Sequence, residues 1–351
     1  MAGTEPVTYP QPTFRLTVDG KDITRTVQPR LVSLTLEKQR GEKADQLDLV
    51  LDDADGKLAV PRRGVAITLA LGWSDAGLVD QGSFEVDEVE HMGAPDTLHI
   101  RARSADLRGS LRNRVEQSWH NTTLGAIVQT IAKRNSLQPR VDAALASTAV
   151  AHEDQTNEGD IAFLTRLAKR FDAVCTVKAG RLLLLPINGT TTSTGTAPTA
   201  LTLTRSQGDQ HRWQVADRDA YTGVRAYWHD PHRAKQRSVL VGQSGNAKRL
   251  REGHATEADA RAAAEAEWQR IQRGAANFEL TLARGLASVD VQQPLTVQGF
   301  KADIDGADWL VSKVTHSLGD GGFTTRLEAE LFGSDSSAGQ AQDVGPGDSE
   351  D

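Results

Sequence analysis

The chain lacks a second cysteine. Of its 351 residues only Cys175 carries a thiol, so no intrachain disulfide can form and a reducing compartment is compatible. That cysteine sits in the alternating run AVCTVK, where a small buried hydrophobe is the expected role. No stretch approaches the ~18 consecutive apolar residues of a membrane helix, so no membrane insertion is expected. The opening MAGTEPVTYPQPTF has no basic segment followed by an apolar run. A secretory signal is therefore not read there, and the chain is expected to stay in the cytoplasm where it is made. Runs of lysine and arginine are also missing, and the net charge is −7. A sequence-independent nucleic-acid binder needs a basic surface to displace counterions from phosphates, and the acidic balance argues against that class. An acidic balance instead suits a surface that DNA slides past without specific binding. No G-x-S-x-G elbow, P-loop or H-E-x-x-H appears, and Cys175 has no base beside it in sequence. Catalytic, cofactor-binding and metal residues are accordingly none.

What is present is alternation. The runs TFRLTV (13–18), LVSLTLE (31–37), QLDLVLD (46–52), VAITLAL (65–71), FEVDEVE (84–90) and TLHIRAR (97–103) mostly switch apolar and polar residues with period two. That period marks half-buried strands. Asp19-Gly20 follows the first run as a tight hairpin dipeptide. Six strands with no helix between them imply an antiparallel barrel or sandwich.

The period changes near residue 119. In NTTLGAIVQTIAKRN, Leu124, Ile127, Val128 and Ile131 form one helical stripe, with Asn121 or Thr122 as the expected N-cap. In GDIAFLTRLAKRF, Leu164, Leu167, Ala168 and Phe171 repeat that spacing, with Asp160 placed to cap and Lys169 and Arg170 in the last turn. AVCTVK, Ala179-Gly180 and RLLLLPI then read as a hairpin, making the middle a small α/β unit. The segment NGTTTSTGTAPTA (188–200) reads as a linker or exposed loop. Strands return at 200–204, 212–216, 223–228, 238–242, 278–283, 293–298, 308–316 and 323–331. A long helix over 254–274 interrupts them. The tail beyond Gly333 lacks apolar periodicity and is expected to be disordered. The expected domains are 1–108 (β), 109–190 (α/β insert), 191–333 (β, with the long helix) and 334–351 (tail). At about 150 residues per domain the length agrees with two or three folded units.

Four features invite chemistry and each has a plainer reading. LDDADGKL (51–58) sets Asp52, Asp53 and Asp55 before Gly56, but it lacks the terminal bidentate Glu of a calcium loop and is flanked by strands, so a turn is expected. HDPH (229–232) has no third His or Cys nearby, and Pro231 makes it a turn. His91, His99 and His316 lie in or beside strands, where local hydrogen bonds should satisfy them. The sequons at Asn121 and Asn188 have no use in a chain without a secretory signal.

Two stretches carry a family resemblance. QTNEGDIAFLTRLAKRFDAVCTVKAGRLLLLPI (155–187) resembles the Gln-x-x-x-x-Asp-x-x-Phe-Leu-x-Arg-Leu-Ala block, followed by a hairpin with Gly at its turn, of the phage late control protein D family. The matching positions are Gln155, Asp160, Phe163, Leu164, Arg166, Leu167, Ala168 and Gly180. Where Asp172 stands, the family often has Gly, so the turn after the helix is expected to differ locally. GFKADIDGADWLVSKVTHSLGDGGFTTRLEAEL (299–331) is similar to the family's C-terminal block, and 51–73 fits its first domain. The similarity spreads over roughly residues 10–332.

The resemblance implies a mainly β fold with an α+β insert: two antiparallel β-barrel domains flanking a small α/β domain. It implies a baseplate hub of a contractile phage-type tail, related in architecture to the N-terminal part of type VI secretion spike proteins. Such a hub is a homotrimer whose six barrel faces suit a hexameric tail tube, while its threefold axis suits a trimeric central spike. The implied partners are the central spike protein, the tail tube protein, other baseplate proteins and the tape measure protein. The implied location is the virion tail baseplate, assembled in the host cytoplasm. Arg166 is expected in a structural ion pair and Leu164, Leu167 and Phe171 in a core. Subunit and partner interfaces, roughly 2,000 Å² each in an obligate trimer, are not assigned to residues. The rival readings are a peptidoglycan hydrolase carried on the tail and the hub part of a type VI-like secretion spike. The first predicts activity on peptidoglycan and the second a long β-helical prism. A receptor-binding fibre predicts repetitive β sequence, which is absent.

Overall fold

The computed structural model describes residues 9–41, 44–104, 109–178, 180–187, 198–215, 221–230 and 235–332. The first region is built almost wholly of strands: β1 (Pro12–Val18), β2 (Lys21–Asp22), β3 (Leu31–Gln39), β4 (Gln46–Asp52), β5 (Ala66–Trp73), β6 (Gly77–Met92) and β7 (Thr97–Ser104), with one short helix, α1 (Thr24–Val27). Asp19 and Gly20 both adopt positive φ, 48° and 80°, and join Val18 to Lys21 in the two-residue hairpin their types favour. Period two places Leu34 and Leu36 of β3, Leu47, Leu49 and Leu51 of β4, and Leu98, Ile100 and Ala102 of β7 in one core. Where the ladder between β5 and β6 shifts register after Leu69, the next residue, Ala70, is buried as well.

The middle region holds β8 (Arg114–Thr123), α2 (Leu124–Arg134), β9 (Gln138–Val141), α3 (Ala143–Ala146), β10 (Ala149–Gly159), α4 (Asp160–Arg170), β11 (Ala173–Lys178) and β12 (Arg181–Pro186). β8 and β10 form an antiparallel ribbon, while β11 pairs β12 and β12 runs parallel to β9. Helix α2 buries its predicted stripe of Leu124, Ile127, Val128 and Ile131, and α4 buries Leu164, Leu167 and Ala168, whereas Phe171 falls at the helix end and is only half-buried, and Phe163 joins the core instead. Both helix starts differ from expectation by a small step. The β8 ladder continues through Thr122 to Thr123, so Asn121 and Thr122 belong to the strand, and the Thr123 hydroxyl accepts from the Ala126 N–H at 3.2 Å. Gly159 occupies the cap position of α4, leaving Asp160 as its first helical residue with its carboxylate directed elsewhere.

The last region comprises β13 (Leu201–Thr204), β14 (Gly208–Val215), β15 (Gly223–Asp230), β16 (Lys235–Gly242), β17 (Ala247–His254), α5 (Glu257–Gly274), β18 (Ala276–Leu282), β19 (Pro294–Gln298), α6 (Ala302–Asp305), β20 (Trp309–Gly319) and β21 (Gly322–Leu331). Strands β15, β16 and β17 make a separate sheet against which α5 packs through Ala260 and Ala264. The remaining strands do not form a sheet of their own. β20 pairs antiparallel with β3, Lys313 opposite Gln39 through Gly319 opposite Ser33, so the two β regions share one 13-stranded sheet. The chain is mainly β with antiparallel sheets, and no closed barrel is found among the described residues. Phe323, Leu318 and Ala287 extend from the last region into the first region's core. A fully buried side chain of such size contributes about 1.5–3 kcal/mol. Gly285 lets this joint close, since a Cβ there would lie 2.7 Å from the Phe323 ring.

Candidate functional site

The matching block of 155–187 folds around a buried carboxylate. Asp160 is 1% exposed, and its two oxygens accept from Arg134 Nη2 at 2.5 Å, Arg134 Nε at 3.1 Å, Asn135 Nδ2 at 2.7 Å and Gln155 Nε2 at 2.8 Å. It also stands at the positive end of α4. Together these donors offset the cost of taking a charge out of water. Phe163, Leu164, Leu167 and Ala168 are core side chains, and Trp119 of β8 stacks on Phe163 with ring centroids 6.2 Å apart. Arg166 is ion-paired with Glu153 and, at 3.0 Å, with Glu158. It fixes the ribbon to the helix.

Asp172 adopts φ 49°, the left-handed conformation in which glycine is ordinarily favoured. Its carboxylate compensates by pairing with both terminal nitrogens of Arg273, one at 2.5 Å, at the end of α5. The Arg273 Nε lies 3.1 Å from Glu330 Oε1 of β21, and Arg40 Nη1 approaches the same oxygen at 2.6 Å. Four residues from all three regions thus meet in one cluster. The signal was present in the departure from glycine at 172, but its partner lies 101 positions away.

A second junction lies beside it. Lys38 continues the buried phase of Leu34 and Leu36 on β3 and is 7% exposed. It faces Asp290 Oδ1 at 3.8 Å, and Lys178 of β11 approaches Asp290 at 3.6 Å and Asp45 at 4.0 Å. A cleft of about 540 Å³ opens here between Arg40, Val174, Lys178, Leu183 and Asp290. Asp290 lies deep in it yet is 51% accessible to the cleft's solvent. Its partial burial acts to raise its carboxyl, but Lys178, Lys38 and the Val291 N–H outweigh that and hold it below the usual range. Burial wins at Asp45, whose carboxyl is raised despite the same two lysines. Behind Lys38, His316 is wholly buried; desolvation first, and then the Lys38 charge, push it down to about 3. Thr325 Oγ1 accepts from the Leu286 N–H and lies 2.9 Å from His316 Nδ1, so its own proton is free to bond the neutral ring.

The acidic turn singled out for chemistry is held by local pairing. Asp55 of the acidic turn pairs with Arg30 through both oxygens, at 2.7 and 2.6 Å, and Asp53 accepts from the Leu58 N–H and faces His91 at 3.3 Å. The segment is a turn with Gly56 at φ 63°. Pro231 and His232 of the HDPH motif lie outside the described residues, as do most of the 188–200 segment and the tail from 334. Burial pushes the Cys175 thiol up to about 12, which keeps it protonated and unreactive at neutral pH. Among the described residues no group of three or more His, Cys, Asp or Glu is arranged to hold a metal ion, and no helix is long and apolar enough to cross a membrane.

With charged side chains tying regions together instead of converging on a reaction centre, kinship decides the role. Residues 46–322 match the family described as phage tail baseplate hub. A probable baseplate hub protein of Escherichia phage 186 is 45% identical over 365 residues, covering 92% of this chain and 94% of its own. The chain belongs to the phage tail baseplate hub family. As a member, this hub is a structural component of a virion tail and not an enzyme. Among solved structures the hub resembles the 43 kDa tail protein of prophage MuSo2 from Shewanella oneidensis, with a TM-score of 0.67 at 17% identity over 91% of the hub and 98% of that chain. A type VI secretion component of Escherichia coli, described as similar to T4 tail proteins, gives a TM-score of 0.52 at 14% identity, over 87% of the hub and 74% of its own chain. These two likenesses concern the fold.

Proposed function

We propose that this hub assembles as a homotrimer at the centre of a contractile tail baseplate and adapts a hexameric tail tube to a trimeric central spike. The observation that carries this reading is the near-full-length identity with a baseplate hub protein. In this reading residues 1–108 and 191–333 act as two barrel-like halves and 109–190 as the insert between them. Three chains then offer six comparable faces to the tube and one threefold axis to the spike, since cyclic interfaces close only when equivalent patches agree in number. The single sheet that runs through both β regions supports it mechanically, because load on one half passes to the other through the ladder between β3 and β20. The clusters at Arg273 and Asp290 brace the same joint against shear. Other baseplate proteins and the tape measure protein would contact the outer and tube-facing sides. DNA would traverse the axial channel without specific binding, a role that the net charge of −7 suits.

Native mass spectrometry of the purified chain, alone and mixed with the spike protein of its own particle, tests the proposal. Trimers and a three-to-three complex are expected. A chain that stays monomeric with the spike in excess would end it.

A further inference from the structure

The ribbon of β8 and β10 carries a pair of histidines that neither the fold nor the hub role uses. His120 and His152 are directly opposite one another across the antiparallel ladder, and both are exposed. Their Nδ1 atoms are 3.0 Å apart, whereas the ring centroids are 4.6 Å apart. The ring planes are inclined by 25°, and the two Nδ1 atoms approach each other more closely than the ring centres do. On its far side His152 Nε2 lies 3.1 Å from Asp154 Oδ2. That carboxylate can only accept, so Nε2 carries the proton and Nδ1 presents its lone pair toward His120.

We infer that His120 and His152 form a two-imidazole site for a divalent transition-metal ion, with Asp154 as the positioning residue behind His152. Two nitrogens 3.0 Å apart, each about 2.0–2.1 Å from a metal, subtend about 90–95° at it. That angle fits adjacent positions of a tetragonal or octahedral ion and is narrower than a tetrahedral site requires. Copper(II) and nickel(II) suit it better than zinc(II). The cation takes the place of the proton that the two Nδ1 atoms otherwise share. A carboxylate bonded to the second nitrogen of a ligating histidine fixes tautomer and ring orientation, the arrangement seen at His152. The remaining coordination positions stay open to water or to a donor from a neighbouring subunit. The bound ion would staple β8 to β10 three residues before Gln155, where the ribbon turns toward the Asp160 network.

The test uses the full, tag-free chain titrated with Cu²⁺, Ni²⁺, Zn²⁺ and Mg²⁺, read by calorimetry and by thermal melting. One Cu²⁺ or Ni²⁺ per chain is expected, with a raised melting temperature, weaker Zn²⁺ binding and no Mg²⁺ effect. His120→Ala and His152→Ala should each lower Cu²⁺ affinity at least tenfold. Asp154→Asn should lower it about tenfold while keeping the stoichiometry. All three side chains are exposed, so the variants should keep the wild-type circular dichroism. Electron paramagnetic resonance of the wild-type Cu²⁺ complex should show two imidazole nitrogens, a readout that needs no variant. Undiminished binding in the double His→Ala variant, or no saturable binding by the wild type, overturns the site.

Discussion

Asp160 in the middle region and Asp290 in the last are both carboxylates surrounded by cations and donors, but their partners come from different distances. Asp160 draws Arg134, Asn135 and Gln155 from within 26 positions, and every donor belongs to the same region. Asp290 faces Lys38 from the first region and Lys178 from the middle one, across a wet cleft. The first network centres on a buried carboxylate reached by a half-exposed arginine, and it specifies one local packing of α4 on the ribbon. The second has meaning only once three regions have met. Polar residues thus shape a unit in one place and join units in the other.

That contrast is broken most readily at Asp160. Asp160→Ala removes the acceptor of four hydrogen bonds and takes from Arg134 the buried carboxylate that pairs it, so a loss of about 3–5 kcal/mol is expected in urea unfolding. A loss below about 1 kcal/mol would show that the network is not what holds α4. Next is acid. The His316 ring is held near 3, well under its unfolded value of about 6.5. Above pH 6.5 both states are neutral there; below it the unfolded chain takes a proton that the folded chain refuses. Stability should therefore fall with falling pH across that window, by about 3 kcal/mol at pH 4 from this residue. The slope should flatten in His316→Gln, and equal slopes in the two proteins would refute the assignment.

A smaller effect is expected where regions are joined. Arg273→Ala should cost about 2–3 kcal/mol by leaving Asp172 and Glu330 without their shared cation. Asp172→Gly, which restores the residue favoured at φ 49°, should lose much less. If the two variants lose equally, the ion pair and not the backbone governs the site. Smallest of all, Arg30→Ala should leave the urea midpoint unchanged within error, since its pairing with Asp55 is exposed to solvent.

Much of this was legible in the residues. Period two located the six long strands of the first region, and the spacing of Leu124, Ile127, Val128 and Ile131 located α2. The ribbon of β8 and β10 and the strand β17 were missed, because their faces are mostly polar or exposed and alternation carries no signal there. Asp160 was recognised as a helix-start residue, yet its role as acceptor for Arg134 depends on the packing of α2 beside α4. Lys38 falls just past the run read as a strand (31–37), and nothing local showed that Asp290 would answer it. Arg166 was expected in an ion pair as part of the family's helix block, and Glu153 and Glu158 supply the partners.

By itself the sequence determined the elements that carry an apolar face: the alternating strands and the striped helices. It did so because periodicity and turn chemistry act over a few residues, where the chain has little choice. Only the tertiary structure decided that β3 would take β20 as its neighbour and draw both β regions into one sheet. It also decided that Asp172, Arg273, Glu330 and Arg40 would meet. The backbone bonds of a ladder are the same for any two strands, so a strand's partner is set by which distant side-chain faces can be buried together, and that is a property of the whole chain.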